Sequence, residues 1–355
     1  MTRTTLLLST TLLASAAYAD TPSVAVDILP VHSLVAQVMD GVGEPDLIIP
    51  SGASPHGYSL RPSEARALSN ADAVFWIGES LSPWLEDPIE TLAADAMHVT
   101  LMRESDELVV IEFDDGHDDH HDDHGEDGHD DHDDHDDHDE HKDHDDHDDH
   151  GDEKHDEHDE EGHDDHDHEE EHEEAGHEGH DHHDHGDFDP HGWLEPDNAK
   201  VWVAEIAAVL SDIDPDNAAT YAANAEKAMA SIDGAAVQAA ETLSGVDGTY
   251  IVQHDAYTYF GQRYDVPAAA AVTPTDATEA GPAKIVELQE LVASTGATCY
   301  VAEVPFDEDF LVTLFGDTPV KSDVIDPLGS EYDQGPDLYT NLITGMADRL
   351  AACLS

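Results

Sequence analysis

Four residues far apart in the chain, His56, His191, His254 and Asp326, are of the types that hold a divalent cation. Imidazole is a common ligand for borderline metals, and three imidazoles with one carboxylate or water make the tetrahedral set that zinc favours. Manganese prefers more oxygen, so three nitrogens point toward zinc, although copper and nickel also bind imidazole tightly. No local spacing links the four, so only the fold can bring them together. His56 closes Ser51-Gly52-Ala53-Ser54-Pro55-His56, a loop after a strand and before a helix that Ser63 is expected to cap. In open α/β sheets, ligands bind where strands hand over to such loops. His191 follows Asp189-Pro190 and precedes Trp193, with the proline restricting the backbone beside it. His254 ends a strand in Val252-Gln253-His254-Asp255-Ala256-Tyr257, and Asp326 precedes Pro327-Leu328-Gly329 at another strand end.

Two further histidines read as structural: His32, after Pro30-Val31 at a helix start, and His98, on a strand. A ligating histidine usually gives its other ring proton to a carboxylate or carbonyl, and Asp255 and Glu303 are the candidates by position. Trp193, Tyr257 and Tyr259 either wall a cleft or belong to the core. No serine elbow, glycine-rich phosphate loop or zinc-protease helix motif occurs, so no enzyme activity is expected.

Residues 114–187 are of another kind: 23 His, 40 Asp or Glu, 2 Lys, 8 Gly and one Ala. Such a stretch has no aliphatic side chains to bury and is expected to stay solvated and mobile. His-rich composition reads as metal binding. His117, His120, His121 and His124 open the series, and His129, His132, His135, His138, His141, His144, His147 and His150 recur at every third position. A helix of 3.6 residues per turn would smear that row around its surface, so the expectation is a flexible string of transient, low-affinity sites. Taken three or four at a time, the imidazoles would hold on the order of six metal ions. The plainer reading is an acidic solubilising linker.

Outside this tract stand 10 of the 12 Lys and Arg against 44 of the 84 Asp and Glu. That surface repels nucleic acid and anionic membranes and concentrates cations, and no nucleic acid partner is expected. Residues 1–19 begin with Arg3, run through an apolar stretch and end in Ala17-Tyr18-Ala19, the pattern of a secretory signal peptide. The apolar stretch is shorter than the roughly 20 residues of a spanning helix, so an exported, soluble monomer without a membrane segment of its own is expected. In an oxidising compartment the two cysteines, Cys299 and Cys353, permit one bridge and read as a structural staple. With no thiolate cluster available, metal must be held by nitrogen and oxygen.

Short apolar strands alternate with amphipathic helical stretches on both sides of the tract, which predicts an α/β fold with parallel sheets. Strands are expected at 24–29, 46–49, 73–77, 249–253, 298–304 and 319–325. Helices are expected at 33–39, 63–69, 83–93, 283–294 and 310–315. Asp214-Pro215 reads as the cap and first residue of a long Ala-rich helix to Leu243, interrupted at Gly234. The expected organisation is a signal peptide (1–19), an N-terminal lobe (20–113 with 188–213), the insertion (114–187), a linking helix (214–245) and a C-terminal lobe (246–355). A rigid connector would let the lobes close only slightly, with the metal cleft between them.

The runs Gly52-Ala53-Ser54-Pro55-His56-Gly57-Tyr58-Ser59-Leu60-Arg61-Pro62-Ser63, Asp189-Pro190-His191-Gly192-Trp193-Leu194 and His254-Asp255-Ala256-Tyr257 resemble those of the zinc-binding ZnuA-type solute receptors of bacterial ABC importers, in the cluster A-I metal-binding family. The resemblance covers nearly the whole chain after residue 19, including an acidic His-rich insertion, here at the long end. It implies two lobes joined by a rigid helix, a periplasmic location and an importer permease as partner. His56, His191 and His254 would be zinc ligands, with Asp326 or water near the fourth position. It also implies a disulfide that Cys299 and Cys353 could form. Manganese-binding relatives tend to carry a carboxylate where His254 stands. Two alternatives remain: a periplasmic metal buffer or chaperone without a transporter, and a manganese or iron receptor of the same family.

Overall fold

The computed structural model describes residues 21–112, 188–276, 280–303, 308–316 and 318–355. The expected signal peptide and the His-rich tract, with all its candidate histidines, lie outside them. The described residues belong to one compact unit.

The first half forms a four-stranded parallel sheet from β1 (Val24–Val26), β2 (Asp46–Leu47), β3 (Ala73–Trp76) and β4 (Met97–Thr100), in the order β2-β1-β3-β4. Between the strands lie α1 (Leu29–Val38), α2 (Pro62–Asn70) and α3 (Glu86–Leu92). β1 and β3 are apolar and wholly buried, as expected of strands covered on both faces. The second half repeats the plan with β5 (Tyr250–His254), β6 (Ala270–Thr273), β7 (Cys299–Ala302) and β8 (Lys321–Val324), in the order β6-β5-β7-β8. Its helices are α6 (Thr258–Arg263), α7 (Pro282–Thr295) and α8 (Glu308–Phe315). Each sheet therefore has a switch point where the strand order reverses, between β1 and β3 and between β5 and β7.

Three long helices join the halves: α4 (Pro196–Ile213), α5 (Ala218–Leu243) and α9 (Leu338–Leu354). α5 packs on α4 and α1 on the N-terminal side and on α9 on the other. One continuous core runs from Val24 and Phe75 through Trp202, Tyr221 and Ile232 to Tyr250, Val301 and Ile343. That continuity supports the expectation of two lobes tied rigidly. A smaller cluster around Ile251, Tyr300 and Leu314 packs with α7 and α8.

Several local expectations change. The long helix starts at Ala218, because Asp214 instead closes α4, and its carboxylate accepts hydrogen bonds from Asn217 Nδ2 (2.7 Å) and the Tyr221 hydroxyl (2.8 Å). Gly234 does not break α5. α2 starts at Pro62, ahead of Ser63, and its first turn is closed by Glu64, whose Oε2 accepts from Arg61 N–H at 2.7 Å. Glu64 Oε1 also accepts from the Tyr58 hydroxyl at 2.8 Å, which ties down the loop that carries His56. β6, α4 and α6 had no sequence expectation: β6 has four residues, two of them alanine, α6 has only six, and the stretch of α4 was read only as the end of the N-terminal lobe.

A disulfide joins Cys299 of β7 to Cys353 of α9, with Cα atoms 5.6 Å apart. Bridging 54 positions, it would stabilise by roughly 4 kcal/mol in the chain-entropy picture. No helix among the described residues is long and apolar enough to cross a membrane.

Candidate metal centre

The loops that follow the sheets' strands meet over a cavity of about 170 Å³. His56, His191 and His254 line it, and each offers a ring nitrogen within 4.8 Å of those of the other two. Their ring centroids are 5.6 Å (56 to 191), 6.0 Å (56 to 254) and 5.4 Å (191 to 254) apart. These are separations across which three nitrogens can face one ion.

His254 ends β5 and Glu303 directly follows β7, so the pair straddles the switch point of the second sheet, where open α/β folds place their ligands. Nδ1 of His254 lies 2.7 Å from the Glu303 carboxylate. A carboxylate only accepts, so the ring proton sits on Nδ1 and Nε2 keeps its lone pair for a cation. The Tyr257 hydroxyl lies 2.9 Å from Glu303 Oε1 and 2.6 Å from the Ile325 carbonyl, fixing the carboxylate's far side.

His191 is held in the same fashion by Asp189. Asp189 Oδ1 accepts from His191 N–H at 2.9 Å and lies 2.7 Å from Nδ1, an Asx-type turn across Pro190 that aims the ring. His191 Nε2 is buried and has no protein hydrogen-bond partner. Asp189 was missed as an orienting residue. Its signal was present, since an aspartate two residues before a histidine can bond both its amide and its ring. Asp255, the other candidate orienter, instead accepts from Thr258 Oγ1 at 3.2 Å.

His56 differs from the other two. Its loop is fixed through the Pro55 carbonyl, which accepts from Ser82 Oγ (2.9 Å) and Trp84 Nε1 (2.8 Å), but among the described residues no carboxylate is hydrogen-bonded to the ring and its Nε2 is also buried without a partner. Burial, followed by the neighbouring His191, pushes the His56 pKa down to about 4, so this ring is neutral in ordinary buffers. For His254, burial alone disfavours the charged form, but the hydrogen bond and charge of Glu303 outweigh it and raise the pKa above 6.5.

Asp326 lines the same cavity but does not join the three-histidine group. Its Oδ1 accepts from Leu328 N–H (2.8 Å) and its Oδ2 from Ser330 N–H (2.9 Å), which shapes the turn through Pro327 and Gly329. A third carboxylate, Asp276, stands at the cavity's rim and accepts from Ser54 Oγ across the cleft at 2.6 Å. It follows β6, which had no sequence expectation, and so was not anticipated. Trp193 lines the cavity, Tyr257 braces Glu303, and Tyr259 lies behind the site. His32 and His98 bond to the carbonyls of Pro45 (3.1 Å) and Ala93 (2.7 Å), the structural roles expected of them.

Two parallel α/β lobes tied by long helices, with a small histidine-lined cavity where their loops meet, define the class of solute-binding receptors that hold cargo between lobes. The chain belongs to the family described as "ZnuA: Zinc-uptake complex component A periplasmic", which matches residues 24–353. It is 40% identical over 333 residues to the high-affinity zinc uptake system protein ZnuA of Brucella suis, covering 94% of this chain and 91% of that protein. The protein of the same name from Paracoccus denitrificans is 38% identical over 340 residues, covering 95% and 93%. Among solved structures, a crystal structure of ZnuA superposes with a TM-score of 0.66 at 16% identity, covering 95% of this chain and all of that one. The family is one of solute receptors and not of enzymes.

Proposed function

We propose that this chain is a periplasmic receptor that takes up Zn2+ in the cavity between its lobes and delivers it to the permease of an ABC importer. The observation that carries this reading is the convergence of three imidazole nitrogens within 4.8 Å, two of them on rings backed by a buried carboxylate. His56, His191 and His254 would supply the protein ligands, with Asp326 or a water in the fourth position. Each Asp326 oxygen accepts one backbone N–H, from Leu328 and from Ser330, and keeps a lone pair with which it could reach a cation. Neutral nitrogen donors favour zinc over manganese, and the names of the Brucella and Paracoccus relatives agree with that choice.

The receptor itself performs no reaction in this reading: it binds and releases. Residues 1–19 would direct export and be removed. The lobes comprise 20–113 with 188–213 and 246–355, joined through 214–245, and the receptor works as a monomer. The tract at 114–187 collects metal at low affinity beside the tight site.

Calorimetric zinc titration of the protein from residue 20 onward, of the same protein lacking 114–187, and of His254→Ala tests the proposal. One tight site that survives the deletion and is lost or much weakened in His254→Ala is expected. If the deletion removes essentially all binding, the protein is a metal buffer. If manganese displaces zinc at comparable concentration, the cargo is not zinc.

A further inference from the structure

His191 precedes the linking helices and belongs by sequence to the N-terminal lobe, yet the segment that carries it is also tied to the C-terminal half. The Tyr259 hydroxyl of α6 donates to the Asp189 carbonyl (3.0 Å), the Tyr339 hydroxyl of α9 donates to the Trp193 carbonyl (2.8 Å), and Trp193 Nε1 donates to the Pro327 carbonyl (2.8 Å). The donors and the ring they hold are all buried, with Tyr259 and Trp193 each 1% exposed and Tyr339 fully buried.

Tyr259 does more than anchor one strand. Its oxygen also accepts from Ile111 N–H at 3.1 Å, while the Ile111 carbonyl accepts from Asp189 N–H at 2.7 Å and Glu112 pairs antiparallel with Phe188. Residues 111 and 189 flank the insertion on its two sides. One phenol therefore joins both stems, donating its single proton to one and accepting from the other.

We infer that Tyr259 is a positioning residue for the metal site: by clamping the stems at Ile111 and Asp189 to α6, it sets the Asp189 carboxylate and hence the direction of the His191 ring. This rests on the zinc-receptor reading above. The chain of contact is short. The same residue whose carbonyl takes the Tyr259 proton presents the carboxylate that holds His191 Nδ1 at 2.7 Å. Without the clamp, Asp189 keeps its bond to His191 and the Trp193 end stays anchored to Tyr339 and Pro327, but the Asp189 end loses its tie to α6 and can shift relative to His254 and Glu303, which moves the His191 ring off the point where three ligands must meet. His56 and His254 are untouched by the change.

The test is Tyr259→Phe, which keeps the ring and removes the oxygen, against Tyr221→Phe as a control. Tyr221 is also fully buried and bonded through its hydroxyl, to Asp214 at the start of the α4–α5 connection, and touches nothing in the metal centre. Zinc affinity by chelator competition and the visible spectrum of the Co2+-substituted protein are read for both. Tyr259→Phe is expected to weaken zinc at least about tenfold, as loss of a residue supporting a metal ligand commonly does, and to change the cobalt spectrum. Tyr221→Phe should melt lower but leave both readouts unchanged. Wild-type affinity and spectrum retained in Tyr259→Phe overturn the inference, as does an equal loss of zinc affinity in the two variants. Absence of tight zinc binding in the wild type would instead overturn the functional reading on which it rests. Hydrogen exchange of the unaltered protein gives a check that no folding defect can obscure. Zinc should protect 189–194 and α6 together, and protection of 189–194 without α6 contradicts the clamp.

Discussion

Glu303 and His254 meet across the reversal in strand order of the second sheet, the glutamate just past the end of β7 and the histidine at the end of β5, with 2.7 Å between carboxylate and Nδ1. Because adjacent parallel strands end side by side, this pair is set by backbone pairing: Val252 lies opposite Val301, and Glu303 N–H donates to the Gln253 side chain at 2.8 Å. The direction of the imidazole is thus a property of the sheet. Glu303→Gln should leave the fold intact but present either a donor or a weaker acceptor to Nδ1. Zinc affinity by competition with a chromogenic chelator should fall by about 10–100-fold. An unchanged affinity would show that Glu303 does not support the ligand.

Zinc binding should depend on pH through His254 before His56. A proton competes for the nitrogen that a metal needs, so affinity falls as pH drops through a ligand's pKa. His254, raised above 6.5 by Glu303 against the effect of burial, protonates first on acidification, whereas His56, lowered by burial to about 4, stays neutral far longer. Titration across pH 8 to 5 should show affinity falling by about a decade per pH unit once His254 begins to protonate. In Glu303→Gln that onset should move to lower pH.

The apo protein carries its own pH signature at His56. Its folded pKa lies below the unfolded value, so between about 4 and 6.5 the unfolded chain holds the extra proton and stability rises with pH. The contribution is present above 6.5 and lost as pH falls toward 4. Urea melts of the metal-free protein should show His56→Gln with a shallower loss of stability than wild type across that window.

Gly192 follows a ligand and leaves no room for a side chain: a Cβ there would lie 2.5 Å from Met102 Sδ. Gly192→Ala should push the turn bearing His191 away from Met102 and weaken zinc binding, and the double variant with Met102→Ala should restore part of it. Gly234 is the opposite case, in mid-helix on α5, where an added methyl group would meet nothing within 4 Å. There, alanine should stabilise by about 0.5–1 kcal/mol, read as a higher melting temperature with zinc affinity unchanged.

How far residues alone reach is clearest at the site itself. His56 and His191 stood out because each sits in a loop between Pro and Gly, and His254 because it ends a strand, where α/β folds bind ligands, while their grouping as one site came from the family resemblance. Strand positions followed where short apolar runs are wholly buried, as in β1, β3 and β7. Three elements were missed: β6, alanine-rich and only half buried, α6, with six residues too few to show a period, and the eighteen-residue α4, whose stretch was read only as the end of the N-terminal lobe. The cross-lobe partners are a different matter. Nothing local to Tyr259 marks it as holding Ile111 and Asp189, 148 and 70 positions away, and Ser54 does not point to Asp276, 222 positions on. Such pairs exist only once both halves have folded against each other. Asp326 was legible as a candidate from its place past a strand end, but nothing local shows that its two oxygens also accept from the Leu328 and Ser330 amides and so shape the turn that follows.

Three imidazoles from distant parts of the chain should close on a single ion. Anomalous diffraction at the zinc absorption edge from crystals of the zinc-loaded protein measures this most directly. One strong peak is expected in the cavity, about 2.0–2.1 Å from a ring nitrogen of each of His56, His191 and His254. A peak elsewhere among the folded residues, or one touching fewer than three of these rings, would contradict it.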